Sequence, residues 1–458
     1  MNANDTKAGS KPLFDLSPDG FVWAVGIENT FIGQTERIGE RPLDEFAVTH
    51  HYQYWKQDLD RCASLGVRAI RYGMPWYKCE PAKGQFDWDW ADRAIDHACG
   101  NGLEIIFDLM HYGVPFWIDN QILNSDYDKH VADWAHAVAT RYGDRIRYWT
   151  PFNETTVATE FAGLRGLWPP YLRGHDGQVK LLRNIARGMT RSIEAFRAAR
   201  SDAVIVQVDM AGEVLPDTPD LQHLADMETA KTFMGSDLVV GMVDDKHILT
   251  EWFLKHGMTD ADLEWHRARP AELDIVGTNY YPEVSQQTLV RYENEYVRRP
   301  RSGRGEGMKR SIRQFAERYN KPVVVTESSL NGTIAERGKW LAEAAVACAE
   351  ARAEGLPLVG FTWFPVLDLI DWVYRSGRPL EEYITRMGPK HLNPDQIANF
   401  MRYMRFTSIE NLNLQDWIAP MGLYSLKLGF DGTFERVETE LVPQFREVVA
   451  ANNVGEVK

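Results

Sequence analysis

Two glutamates fall where a barrel enzyme would use them. Glu154 stands in TPFNET and Glu327 in VVVTESS, each at the end of a short apolar run. Other polar groups end similar runs: Arg71, His111 in MHYGVPFW, Asn153, and Asn279 with Tyr280 and Tyr281. Trp363 ends the last run, and Asp368, Asp371 and Trp372 follow it. When two carboxylates face each other, one can protonate a leaving oxygen while the other attacks a carbon. That division of labour suits cleavage of a glycosidic bond. Each group also has a plainer reading. A lone glutamate at a strand end is usually a surface or ion-pairing residue. Arg71 alone would be an ion-pair partner, and His111 alone a hydrogen-bonded core residue. In a carboxylate-lined site, Arg71 would instead keep a nucleophile ionised by lowering its pKa. His111 could hold a sugar hydroxyl, and Tyr281 could donate to the nucleophile or simply pack. Two features favour the site reading: Asn153 directly precedes Glu154, and a second glutamate ends another strand.

Eight strand-like runs must position these groups: Phe21–Ile27, Val67–Tyr72, Leu103–Leu109, Ile146–Pro151, Ala203–Asp209, Leu273–Asn279, Pro322–Thr326 and Leu358–Trp363. Helical spacing separates them, at His50–Leu65, Trp88–Asn101, Tyr127–Tyr142 and Val179–Arg200. Leu221–His256 reads as helical with breaks at Gly235 and Gly241, followed by Met308–Tyr319, Gly338–Glu354 and a closing helix at Glu435–Ala450. Alternation of this kind implies a parallel sheet with crossover helices. Eight units imply a single (β/α)8 barrel, with catalytic groups at the C-terminal strand ends. The strands are nearly continuous apolar runs, as expected when both faces are buried. We read residues 1–18 as a polar tail and 19–458 as the barrel, with an insertion at 371–421 after strand eight. An insertion of this length should fold locally or serve a function. A helical cap over the mouth or an oligomer contact is expected, which leaves a homo-oligomer open. Arg298–Lys309 reads as a solvated loop.

Composition narrows the partners. The chain has 458 residues and a formal net charge of -14, which argues against nucleic acid or anionic membrane. No run of about 18 apolar residues is present, so no membrane span is expected. The first residues lack the apolar core of a secretory signal. Cys62, Cys79, Cys99 and Cys348 show no metal-ligand spacing and read as free thiols of a reducing compartment. A cytoplasmic location is therefore expected. The 15 tryptophans suit stacking on sugar faces, and equally suit filling a large core.

The motifs together resemble glycoside hydrolase family 1, the β-glucosidase and β-galactosidase family. TPFNET resembles its TFNEP acid/base motif, and VVVTESS its ITENG nucleophile motif. IRYGMPWYKCEP resembles RFSISWxRIFP, and MHYGVP resembles HWDLP. GTNYYPE resembles GxNYYTS, and FTWFPVLDLIDW resembles WSLLDNFEW. The resemblance implies Glu154 as acid/base and Glu327 as nucleophile of a retaining β-glycosidase. It implies His111, Asn153, Trp363 and Asp371 as sugar contacts, with Trp372 near the outer hydroxyls. It implies Arg71, Asn279 and Tyr281 as support for the nucleophile. No metal or other cofactor is implied. The expected partner is a small glycoside or short oligosaccharide.

The departures concern the sugar more than the chemistry. WAVGIENTFIGQ carries no glutamine at the family's usual spacing, leaving Glu28 or Gln34 as substitutes. Asp371 replaces a glutamate, Thr155 a proline, and Ser328-Ser329 an Asn-Gly. Ser425 and Lys427 do not match the phosphosugar branch. Three rivals remain: a transglycosidase with the same carboxylates, a sugar-binding barrel with an altered site, and another barrel glycosidase family with the same strand-four and strand-seven layout.

Overall fold

The computed structural model describes residues 12–17, 20–376 and 413–453. Residues 377–412, which hold most of the expected insertion, lie outside the described residues. Eight parallel strands close into a barrel. They are β1 Val22–Gly26, β2 Ala69–Gly73, β3 Glu104–Asp108 and β4 Tyr148–Thr150, then β5 Val204–Met210, β6 Ile275–Asn279, β7 Val323–Ser328 and β8 Leu358–Trp363. Each pairs with its neighbours in sequence, and β1 closes the ring against β8. Long crossover helices flank them: α1 His51–Ser64, α2 Asp89–Gly100, α3 Tyr127–Tyr142, α4 Gly174–Ala199, α5 Arg304–Tyr319, α6 Ile334–Ala353 and α7 Leu441–Asn453.

Side chains alternate across a strand, so each strand feeds two cores. Val22, Ala24, Ala69, Ile106, Tyr148, Val206, Val208, Ile275 and Val324 fill the barrel interior. Their neighbours, among them Trp23, Ile70, Phe107, Trp149, Ile205 and Val325, join the core shared with the helices. The same parity carries the chain to the mouth. Two residues beyond Ala69 stands Arg71, and two beyond Ile106 stands Asp108. β7 departs from this rule: its register to both neighbours shifts after Val325. Such a bulge re-aims side chains, as bulges beside active sites commonly do. Thr326 and Glu327 both bond groups of the site, while Ser328 accepts from Trp340 Nε1 of α6 at 3.1 Å.

Several expectations change. The stretch read as a polar tail includes Leu13 and Phe14, which pack into the barrel interior beside Tyr148. The Arg298–Lys309 loop is instead ordered structure. Glu295–Arg301 pairs with Gln286–Tyr292, which pairs with Glu213–Pro216, and Arg298 bridges Glu160 and Glu228 at 3.5 Å each. Gly235 does not break a helix. It lies within Met234–Val239, where a Cβ would stand 2.4 Å from Thr155 Oγ1, so its role is close packing behind Glu154. The break at Gly241 is present, with φ of 72° just after Met234–Val239, and the fifth crossover comprises Gln222–Ala230, Met234–Val239, Thr250–Lys255 and Asp260–Arg267. The closing helix begins later than expected, because Phe434–Glu438 is a strand paired with Tyr424–Leu428. Phe434 and Arg436 are buried while Glu435 and Val437 face out, a period of two.

Arg436 anchors that hairpin. Its guanidinium donates to Asp58 Oδ1 at 2.8 Å and Oδ2 at 2.9 Å, and to the Thr49 carbonyl at 2.9 Å. Asp58 is wholly buried on α1, with His51 as its other partner at 2.9 Å. Arg436→Ala would strand this carboxylate, a loss of about 3–5 kcal/mol. Urea unfolding of the variant should show that loss.

Candidate active site

Arg71 stands in the middle of β2 and is wholly buried. Its Nη2 donates to Asp108 Oδ2 and to Asn153 Oδ1, both at 2.7 Å, and its Nη1 donates to Glu327 Oε1. An arginine can only donate, so it fixes which way the Asn153 amide faces. The Asn153 N–H groups therefore reach His111 Nε2 at 3.1 Å and Tyr112 Oη at 2.9 Å. His111 meets Asp108 Oδ2 through Nδ1 at 2.8 Å. The imidazole proton thus sits on Nδ1, and Nε2 accepts. Asn29 Nδ2 completes the shell of Asp108 at 3.4 Å.

The two glutamates hang from this frame. Glu154 Oε2 accepts from Tyr112 Oη at 2.6 Å, and Oε1 accepts from Asn279 Nδ2 at 2.9 Å. The Asn279 amide is itself oriented, because its Oδ1 accepts from Thr326 Oγ1 at 2.7 Å. The backbone of Glu154 has φ of 48°, in the left-handed region, a strained setting that functional sites retain. Its N–H still reaches the Val208 carbonyl at 3.1 Å. Glu327 Oε2 accepts from Tyr281 Oη at 2.7 Å. Both glutamates are only 3% exposed.

Burial sets the electrostatics. It pushes Glu327 up to about 8; Arg71 pulls the other way, and the Glu154 charge adds to the rise. Burial also raises Glu154, against the hydrogen bonds from Tyr112 and Asn279. Asp108 goes the opposite way, because Arg71 and His111 outweigh its burial and hold it below the ordinary carboxylate range. Two buried carboxyls whose charges oppose each other share a proton rather than ionise together. Arg71 touches Glu327 directly, while Glu154 has only neutral donors. The Arg71 contact favours Glu327 as the charged member, and the proton is a property of the pair.

A second group of acids lines the far side. Glu28 Oε1 accepts from Thr30 N at 3.0 Å and Thr30 Oγ1 at 2.6 Å, and lies 3.8 Å from His111 Nε2. Gln34 turns away to the Val114 carbonyl at 2.5 Å. Glu45 is wholly buried, its Oε2 accepting from Ile370 N at 3.2 Å. Burial and the charges of Glu28, Asp44 and Asp371 lift it well above its usual range. Asp371 accepts from Val373 N at 2.9 Å and is raised by burial.

Of the expected site residues, the structure joins Arg71, His111, Asn153, Glu154, Asn279, Tyr281 and Glu327 in one network. Trp372 reaches it through Tyr112, with ring centroids 5.9 Å apart. Asp371 lies among the far acids, outside the network. Trp363 is fully buried, donates to the Met421 carbonyl at 3.2 Å, and packs on Phe445. Asp368 serves as a clamp, accepting from Gly422 N at 2.8 Å and Leu426 N at 3.2 Å. Sequence reasoning passed over Asp108, Tyr112, Thr326 and Glu45. Only Asp108 left a signal, standing at a strand end three residues before His111.

A sequence model of glycosyl hydrolase family 1 matches residues 23–405. The chain belongs to glycosyl hydrolase family 1. This family 1 hydrolase is 23% identical to beta-glucosidase A of Thermotoga maritima, across 87% of this chain and 99% of that one. It is 22% identical to the aryl-phospho-beta-D-glucosidase BglC of Bacillus subtilis, across 77% and 83%. A solved structure of the Thermotoga maritima family 1 β-glucosidase with isofagomine lactam superposes with a TM-score of 0.76. That match has 19% identity and covers 96% of this chain and 99% of that one, and it establishes the fold. The chain is thus a glycoside hydrolase with a (β/α)8 barrel. Among the described residues, no helix is long and apolar enough to cross a membrane.

Arg71→Met would leave Asp108 and Glu327 buried without their cation, a loss of about 3–5 kcal/mol. The stranded carboxyls would regain stability only by taking up protons. The loss should therefore be smaller at pH 5 than at pH 8, as denaturant titrations at the two pH values will show.

Proposed function

We propose that this family 1 hydrolase is a retaining β-glycosidase acting on a neutral, glucoside-like sugar. One observation carries the reading: a cation and a phenol hold Glu327, whereas only neutral donors hold Glu154. Glu327 attacks the anomeric carbon, and the bond from that carbon to the aglycone oxygen breaks. Glu154 gives its proton to the departing oxygen. Water then adds to the anomeric carbon, losing a proton to Glu154 as the ester to Glu327 breaks. His111 and Asn153 would hold sugar hydroxyls near the reacting carbon. Glu28 and Asp371 would accept from the outer hydroxyls, with Trp372 beside them and Trp363 supporting from below.

The far acids also select by charge. BglC is named for a phosphorylated sugar, and a phosphate near Glu28, Glu45 and Asp371 would bring negative charge into a buried acid cluster where negative charge is already disfavoured, as the raised Glu45 and Asp371 indicate. We therefore exclude phosphosugars from the proposed substrates. Cys62, Cys79 and Cys348 are buried free thiols, which suits a reducing compartment, and we place the enzyme in the cytoplasm.

Release of nitrophenol from aryl β-glycosides tests the reading. The wild type should cleave a neutral β-glucoside or a close epimer and should leave its 6-phosphate untouched. Glu154→Gln should lose about 100- to 10,000-fold on poor leaving groups. Glu327→Gln should lose activity on all leaving groups. Full activity in either variant defeats the proposal.

The pH profile provides a further check. The active pair carries one proton, so kcat/KM should fall as pH rises through about 8 and the pair loses it. It should also fall in acid, as Glu327 takes up a second proton. A flat profile through pH 9 contradicts the shared-proton arrangement.

A further inference from the structure

The phenol of Tyr112 has only one place to put its hydrogen. Its oxygen already accepts Asn153 Nδ2 at 2.9 Å, and Arg71 fixes the direction of that amide. The remaining partner is Glu154 Oε2, at 2.6 Å. The ring has little freedom to swing. It lies against His111, Trp168 and Trp372, with centroids 4.7, 5.0 and 5.9 Å away. The backbone is held as well. Tyr112 has φ of 77°, and a Cβ on the next residue, Gly113, would fall 1.4 Å from the Phe31 carbonyl oxygen. The loop therefore runs hard against the segment after β1. The family's HWDLP segment carries an indole at this position, so the phenol donor belongs to this chain.

We propose that Tyr112 is a positioning residue that keeps Glu154 accepting a fixed phenolic hydrogen bond and so favours its carboxylate form. The proposal rests on the double-displacement reading. In the second half-reaction, water forms a bond to the anomeric carbon, the ester bond to Glu327 breaks, and Glu154 Oε takes the water proton. A carboxylate ready to accept speeds that half. The first half needs the acid form, and the same bond works against it. Tyr112 thus shifts the balance of the two steps toward release of the sugar. Other charged groups also face Glu154. Arg71 favours its carboxylate, Glu327 opposes it, His111 faces it with an accepting Nε2, and Tyr281 is a neutral donor beside Glu327. The contribution of Tyr112 is therefore read as a difference between variants.

The test titrates the full-length protein carrying glutamate labelled with carbon-13 at the carboxyl. The Glu154 resonance is assigned by its loss in Glu154→Gln. Tyr112→Phe should raise the Glu154 titration by about one pH unit, since a hydrogen bond to a charged group is worth about that much. The basic limb of kcat/KM on an aryl β-glucoside should move upward with it, and kcat should fall more than kcat/KM. Site-specific 3-fluorotyrosine at 112 keeps the shape and strengthens the donor, so it should move the titration downward. This second protein decides the matter if Tyr112→Phe does not fold. An unchanged Glu154 titration overturns the proposal. An active Glu154→Gln would instead overturn the double-displacement reading, while the titration would still report the grip of Tyr112.

Discussion

A guanidinium buried in a closed barrel is tolerable only if anions surround it. Removing a charge from water costs far more than packing returns, unless the charge is paired and hydrogen-bonded. Arg71 meets that condition with Asp108, Glu327 and the Asn153 carbonyl oxygen. The rest of the site can be derived from this requirement. The arginine turns the Asn153 amide, and the amide sets the His111 tautomer and the Tyr112 hydroxyl. Tyr112 then sets one oxygen of Glu154. A single buried cation thus orients, through three successive donors, the carboxyl on the opposite side of the mouth.

The two glutamates differ in chemistry because their donors differ in charge. Both are dry, and burial alone would make them alike. The cation lies on Glu327, so ionisation is concentrated there. Neutral amide and phenol donors leave Glu154 free to gain or lose a proton. This separation of two carboxyls by environment is a general route to acid and base roles at one pH. The far acids form a second electrostatic zone, in which burial raises Glu45 and Asp371.

The barrel and the network around the two glutamates were largely legible in the sequence. Strands buried on both faces announce themselves as apolar runs, and the polar residue that ends each run marks the mouth. Arg71, Asn153, Glu154, Asn279 and Glu327 could all be placed this way. What stayed hidden depends on contacts between distant segments. Tyr112 looks like one more loop aromatic until the Asn153 amide is seen beneath it. Glu45 looks like an ordinary helix-start glutamate, and only the fold buries it beside Glu28. The Arg298–Lys309 region looks solvated because it is charged, yet Arg298 finds Glu160 and Glu228. Phe434–Glu438 was misassigned because a short strand and the start of a helix share apolar content.

The bulge in β7 divides that strand into two parts. Val323–Val325 keep register with β6, and Val324 and Val325 with β8, as part of the barrel wall. Thr326 and Glu327, past the slip, answer to the site. The slip thus sets Glu327 apart from the packing below it. Substitutions that reshape the wall can accumulate without displacing the carboxylate. At 18–23% identity the relatives keep the architecture while most residues differ. A slip between wall and mouth is one way for chemistry to persist while the material around it is exchanged.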